Sequence, residues 1–294
     1  MEALVLLKVL ITTVPIGFVA ALMGIGGGSL IIPILVTFFQ IDIKEAIAVS
    51  IVMVIATSIS GSSRYLKQGI TNVRLGIFLE LTTAIGAAVG AVMTTLAPSY
   101  LLYLLLSILL YYLSFTQIRT SRLEFEKVRY EKFTLLEEDN IARFLHLSDR
   151  YYDRAERKYI DYNVCNSFKG LVSSFMAGIC SGMLGIGGGV LKVPIMNILM
   201  NIPMKVAIAT SKFMMGITAS TGALIYLMTG YVNLELVSST VLGVAIGALI
   251  GASIMNRVQA NKLKILFGIL LLYFAYLMLA RGISILVGWR LPGV

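Results

Sequence analysis

Two copies of a glycine-rich motif carry the clearest chemical signal in the sequence. Gly-Ile-Gly-Gly-Gly occurs at 24–28 and again at 185–189, and a proline follows five residues after the last glycine of each copy. Glycines in a helix interior cost about 1 kcal/mol each relative to alanine, so both motifs predict a break in a helix. Glycine also lets backbone N–H groups approach a ligand closely, and the N–H groups at a helix start attract anions. The pair of motifs therefore predicts an anion held between two helix breaks.

Close packing of helices through small residues is the alternative interpretation of these glycines. Under the anion-binding interpretation, the motifs contribute two sets of residues. The predicted substrate-binding residues are Gly26, Gly27, Gly28, Ser29, Gly187, Gly188 and Gly189. The predicted helix breaks or hinges are Gly24, Pro33, Gly185 and Pro194.

Two lysines lie inside apolar sequence in the second half of the chain. Lys192 follows the second glycine run by three residues, and Lys212 lies further along. A lysine at membrane depth is costly and usually faces the protein interior or a cavity. The matching positions in the first half hold Ile31 and Ile51, so the fold itself does not require lysine there. We predict that both lysines bind an anionic group; the alternative is that their side chains reach the inner membrane surface.

Hydroxyl and amide side chains close to the motifs extend the predicted site. Hydroxyls can donate hydrogen bonds to an oxyanion, although most of those nearby are interpreted as ordinary interhelix hydrogen bonds. The polar side chains assigned to substrate binding are Ser50, Asn197, Thr210 and Ser211.

Glu80 is an acidic residue inside an apolar segment of the first half. An ionisable group in such a segment is a candidate carrier of a coupling proton. The alternative places Glu80 near the inner interface, because Arg74 is six residues away.

Signatures of enzymes and of bound cofactors or metals are missing from the sequence. His146 is the only histidine, and it lies in a polar stretch. No zinc-protease, Cys-x-x-Cys or Walker pattern occurs, and the glycine motifs do not follow a βαβ pattern. We therefore predict a protein that is not an enzyme and that has no cofactor, no catalytic residues and no metal. The net charge is +9, but the sequence has no stripe of basic residues interleaved with aromatic ones, as a nucleic-acid binder would have. No nucleic-acid partner is therefore expected.

The composition places these residues in a membrane. The 294 residues are 58% hydrophobic and only 13% charged, with a mean hydropathy of +0.89. Residues 119–169 hold 11 of the 24 Lys/Arg and 10 of the 15 Asp/Glu. Two apolar blocks therefore flank a polar island, and each block is long enough for several crossings of about 20 residues. The island has no proline or glycine, so we predict a charged helical linker, with a regulatory or docking role as the alternative.

The two apolar blocks are copies of one unit. At an offset of 161 residues, 30 of 75 positions are identical between 17–91 and 178–252, without a gap. Each half contains five apolar segments, of which the second has only 12 residues. As a helix it would span about 18 Å, against a membrane core of about 30 Å, which predicts broken or re-entrant half-helices. The segments cover about 3–24, 29–40, 45–66, 75–96 and 100–118 in the first half, and 167–185, 190–201, 206–228, 234–256 and 262–280 in the second.

Loop charges predict how the halves are oriented. The loop 64–74 carries three basic residues and is expected in the cytoplasm, with the island, whereas its counterpart 229–233 is uncharged and is expected outside. An odd number of segments per half also gives the halves opposite orientations. The fold prediction is an all-α integral membrane protein with two inverted repeats, whose short half-helices meet near the membrane midplane. Its parts are a first membrane repeat at 1–118, the linker at 119–169 and a second repeat at 170–294. Arg281 and Arg290 violate the charge rule, because this arrangement places them outside.

The paired motifs resemble those of a known family. Two copies of Gly-x-Gly-Gly-Gly-x-x-x-x-Pro about 160 residues apart, each followed by Ala-x-Ala-x-Ser, resemble the TauE/SafE family of permeases. The resemblance covers both membrane blocks. It implies a transporter of small sulfur-containing anions such as sulfite, thiosulfate, sulfonates and sulfoacetate.

The sequence thus predicts a secondary transporter in the cytoplasmic (inner) membrane that works by alternating access, with Glu80 as its candidate proton carrier. The alternatives are an anion channel, or a membrane scaffold or enzyme that docks partners through 119–169. The expected partners are a small anion and the lipid bilayer, and the chain is expected as a monomer or homodimer.

Overall fold

The computed structural model describes residues 3–23, 27–126, 137–153, 157–254 and 260–288. Within these ranges the chain is almost entirely helical, with one small β-hairpin. A π-helical segment, Ile195–Leu199, directly follows α8. The elements are α1 (Ala3–Met23), α2 (Gly28–Phe39), α3 (Ile43–Lys67), α4 (Val73–Leu96), α5 (Ser99–Glu126), α6 (Asn140–Phe144), β1 (Asp149–Asp153), β2 (Lys158–Tyr162), α7 (Ser167–Leu184), α8 (Gly189–Pro194), α9 (Met204–Met228), α10 (Leu234–Ile254) and α11 (Ala260–Val287).

Five of the described helices are long and apolar enough to cross a membrane: α3, α4, the apolar part of α5, α7, and α11 from Ile265 onward. The helices α1 and α10 contain shorter apolar stretches. Large apolar side chains such as Leu81 and Leu249 are exposed on the outer surface, as lipid contact requires. The protein is a multi-pass, all-α membrane protein. The short helices α2 and α8 lie between long helices, at the two positions where the sequence predicts half-helices.

Each half of the chain packs against the other. The helix α1 packs along α10, and α7 packs along α4; α3 pairs with α9, and α5 with α11. Since α7 and α10 are the repeat counterparts of α1 and α4, the first two contacts are copies of each other. A Cβ atom added at Gly17 would collide with the carbonyl of Val244, and one at Gly178 with the carbonyl of Thr83. Each residue of the second contact corresponds to one of the first at the 161-residue offset, so the same close approach occurs twice.

The loop after α3 and its repeat counterpart after α9 lie at opposite ends of α3. At the start of α3, the Lys44 ammonium donates to the carbonyl of Thr95 at 2.8 Å and lies 5.7 Å from the centroid of the Tyr231 ring. Tyr231 belongs to the α9–α10 loop, whereas the α3–α4 loop, 68–72, begins where α3 ends. The helices α3 and α9 therefore run in opposite directions.

Part of the polar island departs from the helical expectation. The helix α5 continues to Glu126 and α6 is helical, but β1 and β2 form an antiparallel hairpin with Asp149 opposite Tyr162. Tyr151 and Tyr162 are buried, while their neighbours Arg150 and Asp161 are exposed. The two strands contain four tyrosines and Ile160, residue types that favour strands, and this content prevails over the absence of helix breakers.

The island is fastened to the ends of helices from both halves. At the start of α4, the Asn72 amide donates to the carbonyl of Leu147 at 2.7 Å and to the Tyr162 hydroxyl at 2.9 Å. At the start of α9, the Lys205 ammonium pairs with Asp153 at 2.7 Å. The buried side chains of the island thus extend the core formed by α4 and α9.

Asp139 fastens α6 to α7. Its carboxylate accepts hydrogen bonds from the N–H and hydroxyl of Ser167 and from the N–H of Ala142. Partial burial opposes ionisation of this carboxyl, but these hydrogen bonds outweigh burial and lower the pKa of Asp139. Asp139 therefore stays ionised at neutral pH and holds the end of the island against the second repeat.

Candidate functional site

In each glycine motif the fourth residue is left-handed, and the fifth begins a short helix. Gly27 has φ 73° and precedes α2; Gly188 has φ 68° and precedes α8. A side chain at either position would strain this backbone conformation. The carbonyl of Gly27 accepts from the N–H of Ile31, and the carbonyl of Gly188 from that of Lys192. The two breaks therefore have the same local geometry.

The two breaks touch. A Cβ atom on Gly28 would lie 2.8 Å from the carbonyl oxygen of Gly185, so only glycine fits. The hydroxyl of Ser50 on α3 reaches both breaks, donating to the carbonyl of Gly185 at 2.8 Å and to that of Gly28 at 3.3 Å. Its repeat counterpart Ser211 on α9 lies 3.4 Å from the carbonyl of Gly189. Close packing thus accounts for part of the glycine pattern; Gly24 and Gly26 lie outside the described residues.

A buried charged cluster lies beside the second break. The Lys192 ammonium on α8 lies 3.4 Å from a carboxylate oxygen of Glu80 on α4 and 2.5 Å from the hydroxyl of Thr218 on α9. The Thr218 hydroxyl donates to the other oxygen of Glu80 at 2.6 Å. Lys192 is 1% exposed and Glu80 is 4% exposed. The structure therefore joins two residues that the sequence assigned separately, Lys192 to substrate binding and Glu80 to proton coupling.

Among the residues that the structure describes, the first break has no such cluster. The repeat counterparts of Lys192 and Glu80 are Ile31 and Val241, and only Thr218 has a like counterpart, Thr57. The Thr57 hydroxyl donates to the carbonyl of Val54 in its own helix. The two breaks therefore share the backbone conformation at the helix start and differ in charge.

Two buried hydroxyls at the breaks have no hydrogen-bond partner within the described part of the chain: Ser29 Oγ and Ser181 Oγ. Ser29 is in the first turn of α2. A Cβ atom on Gly188 would lie 3.1 Å from Ser181 Oγ, so this hydroxyl adjoins the second break. Buried hydroxyls of this kind are costly unless something accepts their hydrogen bonds.

Lys212 is buried at a different place. Its side chain packs beside Gly61 of α3, where a Cβ atom would lie 3.3 Å from the lysine Cδ. In the first repeat the same slot is filled by Ile51 against Gly222. Among the described residues, no acidic side chain lies within ion-pair distance of the Lys212 ammonium. The two predicted lysines therefore do not share one anion site; Lys192 faces α4, and Lys212 faces α3.

Two other predicted binding residues already form hydrogen bonds within the protein. The Thr210 hydroxyl accepts from the N–H of Asn72 at 3.0 Å, at the start of α4. The Asn197 amide donates to the carbonyl of Ile202 at 2.8 Å, which closes the loop after the π-helical segment. Pro194 lies at the junction of α8 and that segment, where its missing N–H interrupts the α-helical pattern.

Arg281, which the predicted orientation places outside against the charge rule, has a hydrogen-bond partner on α2. Its guanidinium donates to the carbonyl of Val36 at 2.9 Å. Val36 is in the last turn of α2, where carbonyls lack helical partners and a cation is favourable. Arg281 therefore caps the half-helix and is only partly exposed, while Arg290 lies outside the described residues.

Thr218 and Ser181 are the site residues that sequence reasoning missed. Thr218 is one of many hydroxyls on α9, and nothing in its spacing separates it from the others. A usable signal for the cluster was charge complementarity, since an acid stabilises a buried lysine at membrane depth and Glu80 is inside a crossing helix.

Comparison with known proteins agrees with this architecture. The protein-family profile described as Sulfite exporter TauE/SafE matches residues 9–278. The chain belongs to the TauE/SafE family. Among similar TauE/SafE-like proteins is Probable membrane transporter protein YunE of Bacillus subtilis, which is 25% identical over 274 residues, covering 91% of this chain and 94% of that protein.

Two further relatives support the family assignment. Probable membrane transporter protein YdhB of Bacillus subtilis is 24% identical over 249 residues, covering 85% of this chain and 90% of that protein. Sulfite exporter TauE/SafE family protein 5 of Arabidopsis thaliana is 30% identical over 111 residues, which is 36% of this chain and 24% of that protein. No solved structure shows a significant match. This TauE/SafE member is a multi-pass membrane protein of a transporter family.

Proposed function

We propose that the protein is a secondary transporter that moves a small sulfur-containing anion across the cytoplasmic membrane by alternating access. Sulfite, thiosulfate, sulfoacetate and other organosulfonates are the substrate class. The observation that carries the proposal is the Lys192 ammonium, buried beside the second glycine break in a chain otherwise poor in intramembrane charge. An oxyanion is bound most favourably where a buried cation lies next to a helix start.

The binding site we propose uses the second break on one side and the first break on the other. Lys192 supplies the charge, and the glycine N–H groups at the helix starts supply hydrogen-bond donors. The orphaned hydroxyls of Ser29 and Ser181 lie at these breaks and can donate to the same anion. Lys212 is a second cation, on the α3–α9 interface, that the anion would meet between Lys192 and the cytoplasm.

Alternating access in this proposal uses inverted repeats. The opposite directions of α3 and α9, and the matched α1–α10 and α4–α7 contacts, support that topology. The loop 68–72 and the polar island would face the cytoplasm, and 229–233 would face outside. Rocking one half against the other would then expose the two breaks to each side in turn.

Proton coupling at Glu80 is the remaining part of the proposal. Glu80 is the one acidic side chain, among described residues, that lies within ion-pair distance of Lys192. A carboxyl at membrane depth beside the binding cation is well placed to gain and lose a proton during transport.

The experiment that tests the substrate class is a thermal-shift and uptake panel. The purified full chain is offered sulfite, thiosulfate, sulfoacetate, taurine, and the non-sulfur anions chloride and acetate. We expect saturable binding and counterflow with sulfur oxyanions, and a loss of about tenfold or more in affinity on Lys192→Ala. Lys205→Ala, which removes an exposed lysine at the start of α9, is the control and should bind normally. Equal effects of the two variants would remove Lys192 from the site, and flux without counterflow would favour a channel.

Cysteine labelling tests the inverted repeat. A single cysteine at Thr229 should react with a membrane-impermeant maleimide added outside intact cells, and one at Gln68 should react only in inverted vesicles. Reaction of both from the same side would contradict the proposed topology.

A further inference from the structure

We propose that the carboxylate of Glu80 occupies the place of the transported anion, so that binding the anion requires Glu80 to take up a proton. The inference rests on the proposed function and specifies how its site is loaded. In this proposal the ion pair with Glu80 neutralises Lys192 whenever no anion is bound.

The geometry makes Glu80 and a substrate anion competitors. Glu80 is held by the two groups best suited to bind an oxyanion at this break, the Lys192 ammonium and the Thr218 hydroxyl. All three side chains are buried, so water offers neither charge an alternative partner. A carboxylate and a sulfur oxyanion present the same chemistry to these donors, oxygens that share a negative charge.

The charge balance of the site prevents an ionised Glu80 and a substrate anion from binding beside Lys192 together. The pair of Lys192 and ionised Glu80 is neutral. An added monovalent anion would leave one uncompensated negative charge in a buried site, which is strongly unfavourable. If Glu80 binds one proton, the lysine, the neutral acid and the anion again sum to zero. Loaded and unloaded sites then have the same net charge, so neither carries an extra desolvation cost as the protein changes conformation.

The proton and the hydrogen bonds balance in this exchange. A proton from solution adds to the Glu80 carboxylate, and the ion pair with Lys192 is replaced by an ion pair with the substrate. The Thr218 hydroxyl, which donates to Glu80, also lies 3.0 Å from the carbonyl of Met214 in its own helix. Its hydrogen can turn to that carbonyl, which leaves the hydroxyl oxygen free to accept from the protonated acid. No covalent bond other than O–H changes.

Few other charges face Glu80. Lys192 of α8 is the one that interacts with its carboxylate among the described residues. The helices packed against α4 carry further titratable groups, but the hydrogen bonds and ion pairs of the described residues do not join any of these to Glu80. On α4 itself, α7 and α9 these groups are Arg74, Lys169, Cys180, Lys205, Lys212 and Tyr226.

This charge balance narrows the proposed substrate class to anions with one negative charge. One proton on Glu80 balances one negative charge, so the site favours an anion with a single charge, such as hydrogen sulfite or an alkyl sulfonate. A permanent dianion such as thiosulfate leaves a net charge in the site and should bind more weakly. Transport of the monovalent anion with its proton moves no net charge.

Proton uptake on binding is the decisive measurement. The full chain in detergent is titrated with methanesulfonate, which keeps one negative charge between about pH 5 and 8. A pH-indicator dye in weak buffer should report about one proton taken up per anion bound in the range where Glu80 is ionised before binding. In that range the Kd should rise about tenfold per pH unit. Thiosulfate titrated in parallel should bind more weakly than methanesulfonate at every pH.

Glu80→Gln, with Glu45→Gln as its matched control, sharpens the test. Glutamine is a neutral mimic of the protonated acid, so this variant should bind methanesulfonate with a Kd that does not change with pH and with no proton uptake. Glu45→Gln removes an acid at the start of α3 and should keep the wild-type slope. If the Glu80 variant does not fold, proton uptake by the wild type is sufficient to test the proposal.

The outcomes separate the two proposals. Binding of methanesulfonate to the wild type without proton uptake, or a wild-type pH slope in Glu80→Gln, overturns the competition at Glu80 and leaves anion transport standing. Failure of methanesulfonate, thiosulfate and every other sulfur anion of the panel to bind at any pH overturns anion transport itself.

Discussion

The two glycine breaks start their short helices in the same way but differ in charge. Both begin a short helix after a left-handed glycine, and both are approached by a serine from the following long helix. The first break is lined by Ile31, whereas the second holds Lys192 against Glu80 and Thr218. The repeat thus provides a paired scaffold, and one copy alone carries the charge.

This difference separates features that the fold requires from features that it does not. Features present in both copies, such as Gly27 and Gly188, are explained by helix breaks and close packing. Features present in one copy cost stability without being required by the fold, since the other copy is built without them. The charged cluster is therefore the part of the molecule where function is expected to depend on single side chains.

Lys192→Met should produce the largest difference between the breaks. It leaves the buried Glu80 carboxylate without its cation, which costs about 3–5 kcal/mol of the free energy of unfolding. The aligned change Ile31→Met exchanges one apolar side chain for another and should cost less than about 1.5 kcal/mol. Thermal or denaturant unfolding in detergent measures both.

A second substitution separates stability from binding at this position. Adding Glu80→Gln to Lys192→Met should recover most of the lost stability, while sulfur anions should still fail to bind. Equal destabilisation by Lys192→Met and Ile31→Met would show that the ion pair does not distinguish the breaks.

Asn72→Ala and Asn233→Ala extend the comparison to the helix starts. The Asn72 side chain caps α4 and also fastens the island, with hydrogen bonds to Leu75, Leu147 and Tyr162. Its counterpart Asn233 accepts from the N–H of Leu236 at 3.2 Å. We expect a loss of about 2–3 kcal/mol for Asn72→Ala and about 1 kcal/mol for Asn233→Ala, measured by unfolding. A larger loss for Asn233→Ala would mean that the island does not stabilise the first repeat.

Ser50→Ala and Ser211→Ala should give the smallest difference. Ser50 joins the two breaks through its 2.8 Å hydrogen bond to the carbonyl of Gly185, while the bond from Ser211 to the carbonyl of Gly189 is long at 3.4 Å. Removing the shorter bond should cost about 1 kcal/mol, and removing the longer one a few tenths. Hydrogen exchange at the starts of α2 and α8 would report the loosening, and a greater effect at Ser211 would reverse the expected order.

The sequence by itself determined the architecture and the positions of the rare features. The apolar segments, the 161-residue repeat, the short elements after each glycine motif and the intramembrane lysines are local or periodic properties, and these are visible in one dimension. The family resemblance follows from the same paired motifs. The hairpin in the island is not predicted, because the absence of proline and glycine is a weaker signal than the concentration of tyrosines in the two strands.

Only the tertiary structure decided how those features combine. Glu80 and Lys192 are 112 residues apart, and whether they meet depends on how α4, α8 and α9 are rotated against one another. The same rotation turns Lys212 toward Gly61 of α3 and away from Lys192, and it selects Thr218 from a helix full of similar hydroxyls. A charged residue inside an apolar segment stands out in the sequence, because the cost of burying a charge makes such residues rare. Which partner neutralises the charge is set by distances of a few ångström between helices, and that packing is a property of the whole fold.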